Sequence, residues 1–140
     1  MKFSLLLISL TTTLMSLSQL NPGDILFVGW YGDNLDGFAF VTMTTIPDGT
    51  EIYFTDNEWN GSAIGSGGAW SSTTEGFMHW TNNLGGDIPA GVVITFEGID
   101  VPASQSTSCG QLTLVSTGNG TIRVNATNEV IYAYQGTSAT

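Results

Sequence analysis

The fold class is decided by the run Phe38-Ala39-Phe40-Val41-Thr42-Met43-Thr44-Thr45-Ile46, then Pro47-Asp48-Gly49-Thr50, then Glu51-Ile52-Tyr53-Phe54-Thr55-Asp56. Both outer stretches are rich in aromatic and β-branched residues, and their side chains alternate in the period of a strand. The segment between them has the Pro-Asp-Gly composition of a tight turn. The run therefore predicts two strands joined by a short turn.

Similar short stretches recur along the rest of the chain. They predict strands over 24–31, 75–81, 91–97, 112–115, 121–124 and 129–134. The pair 112–115 and 121–124 is expected to form a hairpin around Gly118-Asn119-Gly120. No segment after residue 18 has a helical period, so we predict an all-β protein, an antiparallel β-sandwich of Ig-like type.

The predicted first strand, Asp24–Tyr31, is unusual because both of its faces are apolar. Ile25 and Phe27 alternate with Leu26, Val28 and Trp30, and a half-exposed strand would carry polar residues on one face. The pattern indicates a strand that is covered on both sides, or a period that the residues do not resolve.

Residues 1–18 have the features of a secretory signal peptide. A positive Met1-Lys2 precedes the apolar stretch Phe3–Leu17, and small residues at Ser16 and Ser18 form a cleavage site before Gln19. The apolar stretch is short for a membrane span, which needs about 20 residues. We predict a secreted, extracellular protein without a membrane span, with an acidic β-sandwich domain over 19–140.

The charge balance excludes some partners. The chain contains 12 Asp and Glu but only 2 Lys and Arg, giving a formal net charge of −10. Such a surface repels phosphate backbones, so we predict no nucleic acid partner. Extracellular proteins, glycans or other copies of the chain are the expected partners. Cys109 is the single cysteine, which leaves open a free buried thiol or a bridge to another chain.

Several motifs, in order, resemble one family. They are Gly23–Phe27, Asp33–Val41, Ile46–Thr50, Ile52–Trp59 and Ile131–Thr137. Together they resemble the lamin-tail-like β-sandwich modules of large secreted bacterial and protist proteins. That resemblance implies a lamin-tail-like sandwich in an extracellular location, and further strand after the Gln-Gly-Thr motif, so the chain is expected to be truncated at its C-terminus. Glu58 stands where the family pattern commonly has glycine.

Two oxygen-rich loops are candidate calcium ligands. Asp33, Asn34 and Asp36 lie in one turn, and Asp56, Asn57 and Glu58 follow the third predicted strand. Ca²⁺ takes six to eight oxygen ligands, and the loops meet if the third strand pairs with the second. Local turn chemistry of Asp and Asn is the alternative interpretation. We assign Asp33, Asn34, Asp36, Asp56 and Glu58 as a predicted Ca²⁺ site.

The tryptophans suggest a second kind of site. Trp59 and Trp70 flank a long Gly- and Ser-rich loop, where they would bind a sugar ring or fold back over the core. Trp30 and Trp80 lie on predicted strands and are expected in the core.

Three sequons predict N-glycosylation if the source is eukaryotic, at Asn60, Asn119 and Asn125.

Enzymatic activity is not predicted. His79 is the single histidine and lies within a predicted strand, with no nucleophile motif of the G-x-S-x-G type nearby. One His and one Cys also make a zinc site improbable. The sequence predicts a structural or adhesive module, with a carbohydrate-binding module as the alternative.

Overall fold

The structure is a computed structural model that describes residues 19–32, 35–65, 67–115, 121–124 and 130–136. Eight strands occur in this part of the chain. They are β1 (Ile25–Tyr31), β2 (Gly37–Thr42), β3 (Glu51–Thr55), β4 (Phe77–Thr81), β5 (Val93–Glu97), β6 (Ser106–Thr107), β7 (Gln111–Leu114) and β8 (Tyr132–Tyr134).

The strands form two antiparallel sheets of four strands each. Sheet 1 has the order β1-β2-β5-β6, and sheet 2 has the order β7-β4-β3-β8. All strand pairs are antiparallel. The predicted all-β antiparallel sandwich is confirmed.

The pairing of β3 with β2, which was the condition for the two acidic loops to lie together, does not occur. β2 lies between β1 and β5, and the turn at Pro47–Thr50 carries the chain from sheet 1 to sheet 2 instead of closing a hairpin. The backbone N–H of Thr50 donates to Pro47 (3.1 Å), while Ile46 pairs with Ile88 outside the named strands.

Alternation along the strands places one face of each sheet in a common core. Sheet 1 contributes Phe38 and Phe40, and sheet 2 contributes Phe54 and Trp80, all fully or almost fully buried. The rings contact one another directly; the Phe38 and Phe96 centroids are 4.7 Å apart in a stacked arrangement. Burial of large aromatic side chains supplies most of the stabilisation that such a sandwich needs.

The long loop between β3 and β4 is folded against sheet 2. Trp59 and Trp70 form a single β-bridge, supported by bonds from Asn60 N to Ala69 O (2.9 Å) and from Ser71 N to Glu58 O (2.8 Å). Trp70 packs on Phe77 and Tyr134, which point to the outer side of sheet 2. The loop therefore covers part of the outer face of sheet 2.

The segment 121–124 is not the strand that the sequence predicted. β7 pairs with β4, and Ile122 is buried with its backbone N–H bonded to Ile99 O at 3.2 Å. The predicted turn at Gly118–Gly120 lies outside the described residues. Gly76 passes so close to the Thr121 carbonyl that a Cβ at position 76 would collide with it.

The described part of the chain contains no helix with the length and apolar character needed to cross a membrane.

Candidate functional site

The most unusual surface of the molecule is the outer side of sheet 1. Leu26 of β1 lies opposite Val41 of β2, which in turn lies opposite Val93 of β5, so three aliphatic side chains form one row across the sheet. Leu26 is 56% exposed and Val93 52% exposed. Met43 continues the outward alternation of β2 and is 56% exposed. We call Leu26, Val41, Met43 and Val93 the aliphatic face.

A β-bulge lies beside this face. The register between β1 and β2 shifts between Phe27 and Gly29, which makes Val28 an extra residue in β1. Val28 is 51% exposed, and it adds a further aliphatic side chain to the surface.

The sequence predicted that β1 is covered on both sides, and within the described residues this is wrong. The inner side packs in the core through Ile25 and Phe27, whereas Leu26 and Val28 are exposed. Trp30, expected in the core, is 76% exposed. The sequence did show that β1 lacks polar residues on its second face. The structure shows that this second face is an exposed apolar surface.

Within the strands of sheet 1, the charged residue is Glu97, at one end of the outer side; Asp24, which precedes β1, is bonded through its carbonyl to Met43 N at the other end. Tyr31, Gly37 and Glu97 form the end row, and the Tyr31 ring lies directly over Gly37, where a Cβ would collide with it. Burial, followed by the charges of Glu97, Asp100 and Asp36, raises the pKa of Tyr31. The row next to it, Gly29, Ala39 and Thr95, carries no charge, so the aliphatic face is separated from the acidic end.

The predicted calcium ligands are only partly brought together. Asp33 and Asn34 lie outside the described residues, and Glu58 is exposed in the long loop. Asp56 accepts bonds from Gly76 N (3.0 Å) and Arg123 N (2.9 Å), and Asp36 accepts one from Val124 N (2.8 Å). Since Arg123 and Val124 are consecutive, Asp36 and Asp56 lie at the same end of the sandwich.

In this structure, the side chains of Asp36 and Asp56 accept hydrogen bonds from backbone N–H groups. Their carboxylates help to fix the segment 121–124 by accepting from the N–H groups of Arg123 and Val124. Among the described residues, no three His, Cys, Asp or Glu side chains come together in an arrangement that would hold a metal ion.

The two loop tryptophans have different environments. Trp70 is buried against Phe77, Tyr132 and Tyr134, so its ring faces are occupied by protein. Trp59 is 50% exposed, and its indole N–H donates to Ser62 O at 2.6 Å. Only Trp59 of this pair offers an indole face to solvent.

A row of stacked side chains crosses the outer side of sheet 2, and sequence reasoning did not find it. Tyr53 of β3 lies between His79 of β4 and Tyr134 of β8, with centroid distances of 4.6 and 5.5 Å. Both faces of the Tyr53 ring are therefore covered, and Tyr134 is itself buried against Trp70. Burial, followed by the charge of Glu51, raises the pKa of Tyr53. Glu51 also lies 3.4 Å from His79 Nε2.

The sequons can be placed only at Asn60, because Asn119 and Asn125 lie outside the described residues. Asn60 is exposed, but its side chain is engaged: Oδ1 accepts from Ser62 N (2.9 Å) and Nδ2 donates to Gly68 O (2.9 Å). Cys109 is a free, partly buried thiol that packs against the core, and its carbonyl accepts from the Trp80 indole at 2.7 Å.

Comparison of this chain with protein-family models, with curated proteins and with solved structures found no match.

Proposed function

We propose that this chain is a secreted structural or adhesive β-sandwich module of an extracellular surface or matrix protein, and that it associates with copies of itself. The observation that carries the proposal is the exposed aliphatic face of sheet 1. Antiparallel sheets that face water normally show polar residues on that side. A contiguous apolar patch on such a side is a common mark of a protein contact.

A second copy fits this face because of charge. The chain has a net charge of −10, so two copies repel each other over most of their surfaces. The four residues of the aliphatic face are not ionisable, so two such faces can bring aliphatic side chains together, sheet against sheet. Salt screens the remaining repulsion, so the association is expected to strengthen as ionic strength rises.

The experiment is sedimentation velocity of the secreted chain over a range of concentrations and salt. The wild type is compared with Val93→Asp, which places a carboxylate in the middle of the aliphatic face. Leu84→Asp is the matched control, because Leu84 is also exposed but lies in the loop after β4. Loss of association in Val93→Asp alone supports the proposal; equal association in all three chains refutes it.

Calcium stabilisation is the cofactor part of the proposal. It is supported by the position of Asp36 and Asp56, whose carboxylates bind consecutive residues at one end of the sandwich. Asp33 and Asn34 would supply the further oxygen ligands from the turn before Asp36.

Glycan binding is the second candidate function, and it rests on Trp59. Its half-exposed indole lies in a Gly- and Ser-rich loop whose backbone offers hydrogen-bonding groups. A glycan array read out by binding of the wild type and of Trp59→Ala tests it. Trp30→Ala is the control, since Trp30 is exposed but lies on β1, outside this loop.

A further inference from the structure

We propose that the groove between β1 and β8 binds an extended, uncharged segment of a partner protein, which adds to β1 as a further strand. This site is distinct from the aliphatic face and goes beyond the proposed self-association. The groove has a volume of about 470 Å³. We call it the β1–β8 groove; the argument uses Leu20, Ile25, Phe27, Ile52, Ala133 and Gln135 of its lining.

The groove lies where both sheets end. β1 is an end strand of sheet 1 and β8 is an end strand of sheet 2. Ile25 and Phe27 come from the first of these strands and Ala133 from the second, while Ile52 belongs to β3 and is buried. The floor of the groove is therefore the main core itself, reached from its open side.

The backbone of β1 presents hydrogen-bonding groups to this groove. The backbone N–H of Thr42 donates to Val92 O (3.0 Å), so the backbone groups of Thr42 point to β5. The backbone N–H of Met43 donates to Asp24 O (2.8 Å), so the backbone groups of Met43 point to β1. Backbone groups in an antiparallel strand point alternately to the two sides. Ile25 is opposite Thr42 and Phe27 is opposite Phe40, so the N–H and C=O of both residues point away from β2.

The bulge sets the length of the added strand. Regular pairing between β1 and β2 ends at Phe27, before the extra residue Val28. A partner segment can therefore pair regularly with the stretch from Asp24 to Phe27, which is about 13 Å at 3.3 Å per residue. Bulges on end strands limit pairing in this way.

The chemistry of the lining selects an uncharged segment. None of the lining side chains is charged at neutral pH. The Gln135 amide is already engaged, with Oε1 accepting from Leu20 N and Nε2 donating to Glu51 O (2.8 Å). A charged partner side chain would meet no oppositely charged side chain of the lining, and burying it would be costly.

The geometry also defines which partner residues enter the groove. A residue directly opposite Ile25 or Phe27 points its side chain to the same side of the sheet, which is the groove side. The same residue directs its N–H and C=O to β1. The expected ligand is a segment with apolar residues at alternate positions. The same apolar residues make the backbone hydrogen bonds to β1.

The test uses two capped pentapeptides of sequence Thr-Val-Thr-Val-Thr, one of them N-methylated at both valines. Methylation keeps the apolar side chains but removes the donors that face β1. Amide hydrogen exchange of the secreted chain is followed by NMR with each peptide. We expect the amides of Ile25 and Phe27 to exchange at least tenfold more slowly with the unmodified peptide, with no change at Leu26 and no effect of the methylated peptide.

Three results would overturn the proposal. Equal protection by the methylated peptide would mean that the groove is only an apolar pocket. Protection of other amides would place the peptide elsewhere, and no protection at millimolar peptide would exclude strand addition. Val93→Asp is measured in parallel and is expected to bind the peptide as the wild type does, which separates this site from the aliphatic face.

Discussion

Leu26 and Val93 lie on either side of Val41 on the outer face of sheet 1, and both are more than half exposed. The neighbours of these residues along the same strands point into the core. β1 is therefore apolar on two faces, and β5 adds Val93 to the second of them, although the protein's own core explains only one. The second face is the basis of the proposed self-association.

Substitutions on the two faces of β5 are expected to change the free energy of unfolding by very different amounts. Val93→Asp should change the free energy of unfolding by no more than about 0.5 kcal/mol, because an exposed side chain makes few contacts. Ile94→Ala, one residue further, removes a fully buried side chain and should cost about 2–5 kcal/mol. Urea unfolding at a concentration where the chain is monomeric measures both. A large loss in Val93→Asp would mean that this face packs within the chain.

Asp56 is expected to be a stabilising residue. Asp56→Ala leaves the backbone N–H groups of Gly76 and Arg123 without their acceptor, at a cost of about 1–3 kcal/mol for each group that stays buried. Glu58→Ala is the control, because Glu58 is exposed and only two residues away. Chemical denaturation should show a clear loss for the first variant and almost none for the second. Equal denaturation midpoints of the two variants would contradict the stabilising role of Asp56.

Stability is expected to fall at alkaline pH. Burial raises the pKa of Tyr134, and the nearby Tyr53 raises it further, so the folded state favours the neutral phenol. A raised pKa in the folded state contributes stability below the unfolded value of about 10, and that stability is lost as pH rises through the folded value. Melting curves between pH 9 and pH 11 should fall less steeply for Tyr134→Phe than for the wild type. Parallel curves would show that Tyr134 does not drive the loss.

The predicted signal peptide implies that the secreted chain has a defined N-terminus. Expression of the full sequence in a secreting host should yield a chain that begins at Gln19, because Ser16 and Ser18 form the predicted cleavage site. That product keeps Leu20, whose backbone N–H bonds to the Gln135 side chain. Intact mass spectrometry of the medium measures the N-terminus. An uncleaved chain, or one retained in the cells, would contradict secretion.

Calcium is expected to raise the melting temperature by several degrees relative to EDTA, with Mg²⁺ as the control, because ligand binding to the folded state stabilises it. Asp33→Asn should remove this difference. Asp56→Ala should lower stability in both buffers, since its bonds to backbone N–H groups need no metal. Equal melting temperatures of the wild type in calcium and EDTA would remove the calcium part of the proposal.

Strand positions could be predicted because alternation and turn residues are local signals. Phe38, Phe40 and Phe54 are in the core as the pattern indicates. Strand partners could not be predicted, since the turn at Pro47–Thr50 fits a hairpin as well as a crossing between sheets. Segment 121–124 has the composition of a strand, but the N–H groups of Arg123 and Val124 are bound by the side chains of Asp56 and Asp36, which are distant in sequence.

The candidate surfaces, too, could be predicted only in part from the sequence. Apolar residues on both sides of β1 were visible in the sequence, but only the structure shows that Trp30 is exposed and Trp70 is buried. The difference arises from the long loop, which folds back on sheet 2 and leaves sheet 1 uncovered among the described residues.

The most direct test of the self-association is the oxidation rate of Met43 by peroxide, measured by peptide mass spectrometry at low and high protein concentration. Met43 belongs to the aliphatic face, while Met78 is fully buried in the core and reports any unfolding. The account predicts that Met43 oxidation slows several-fold as copies associate, with Met78 unreactive throughout. A Met43 rate that does not depend on concentration would contradict association through this face.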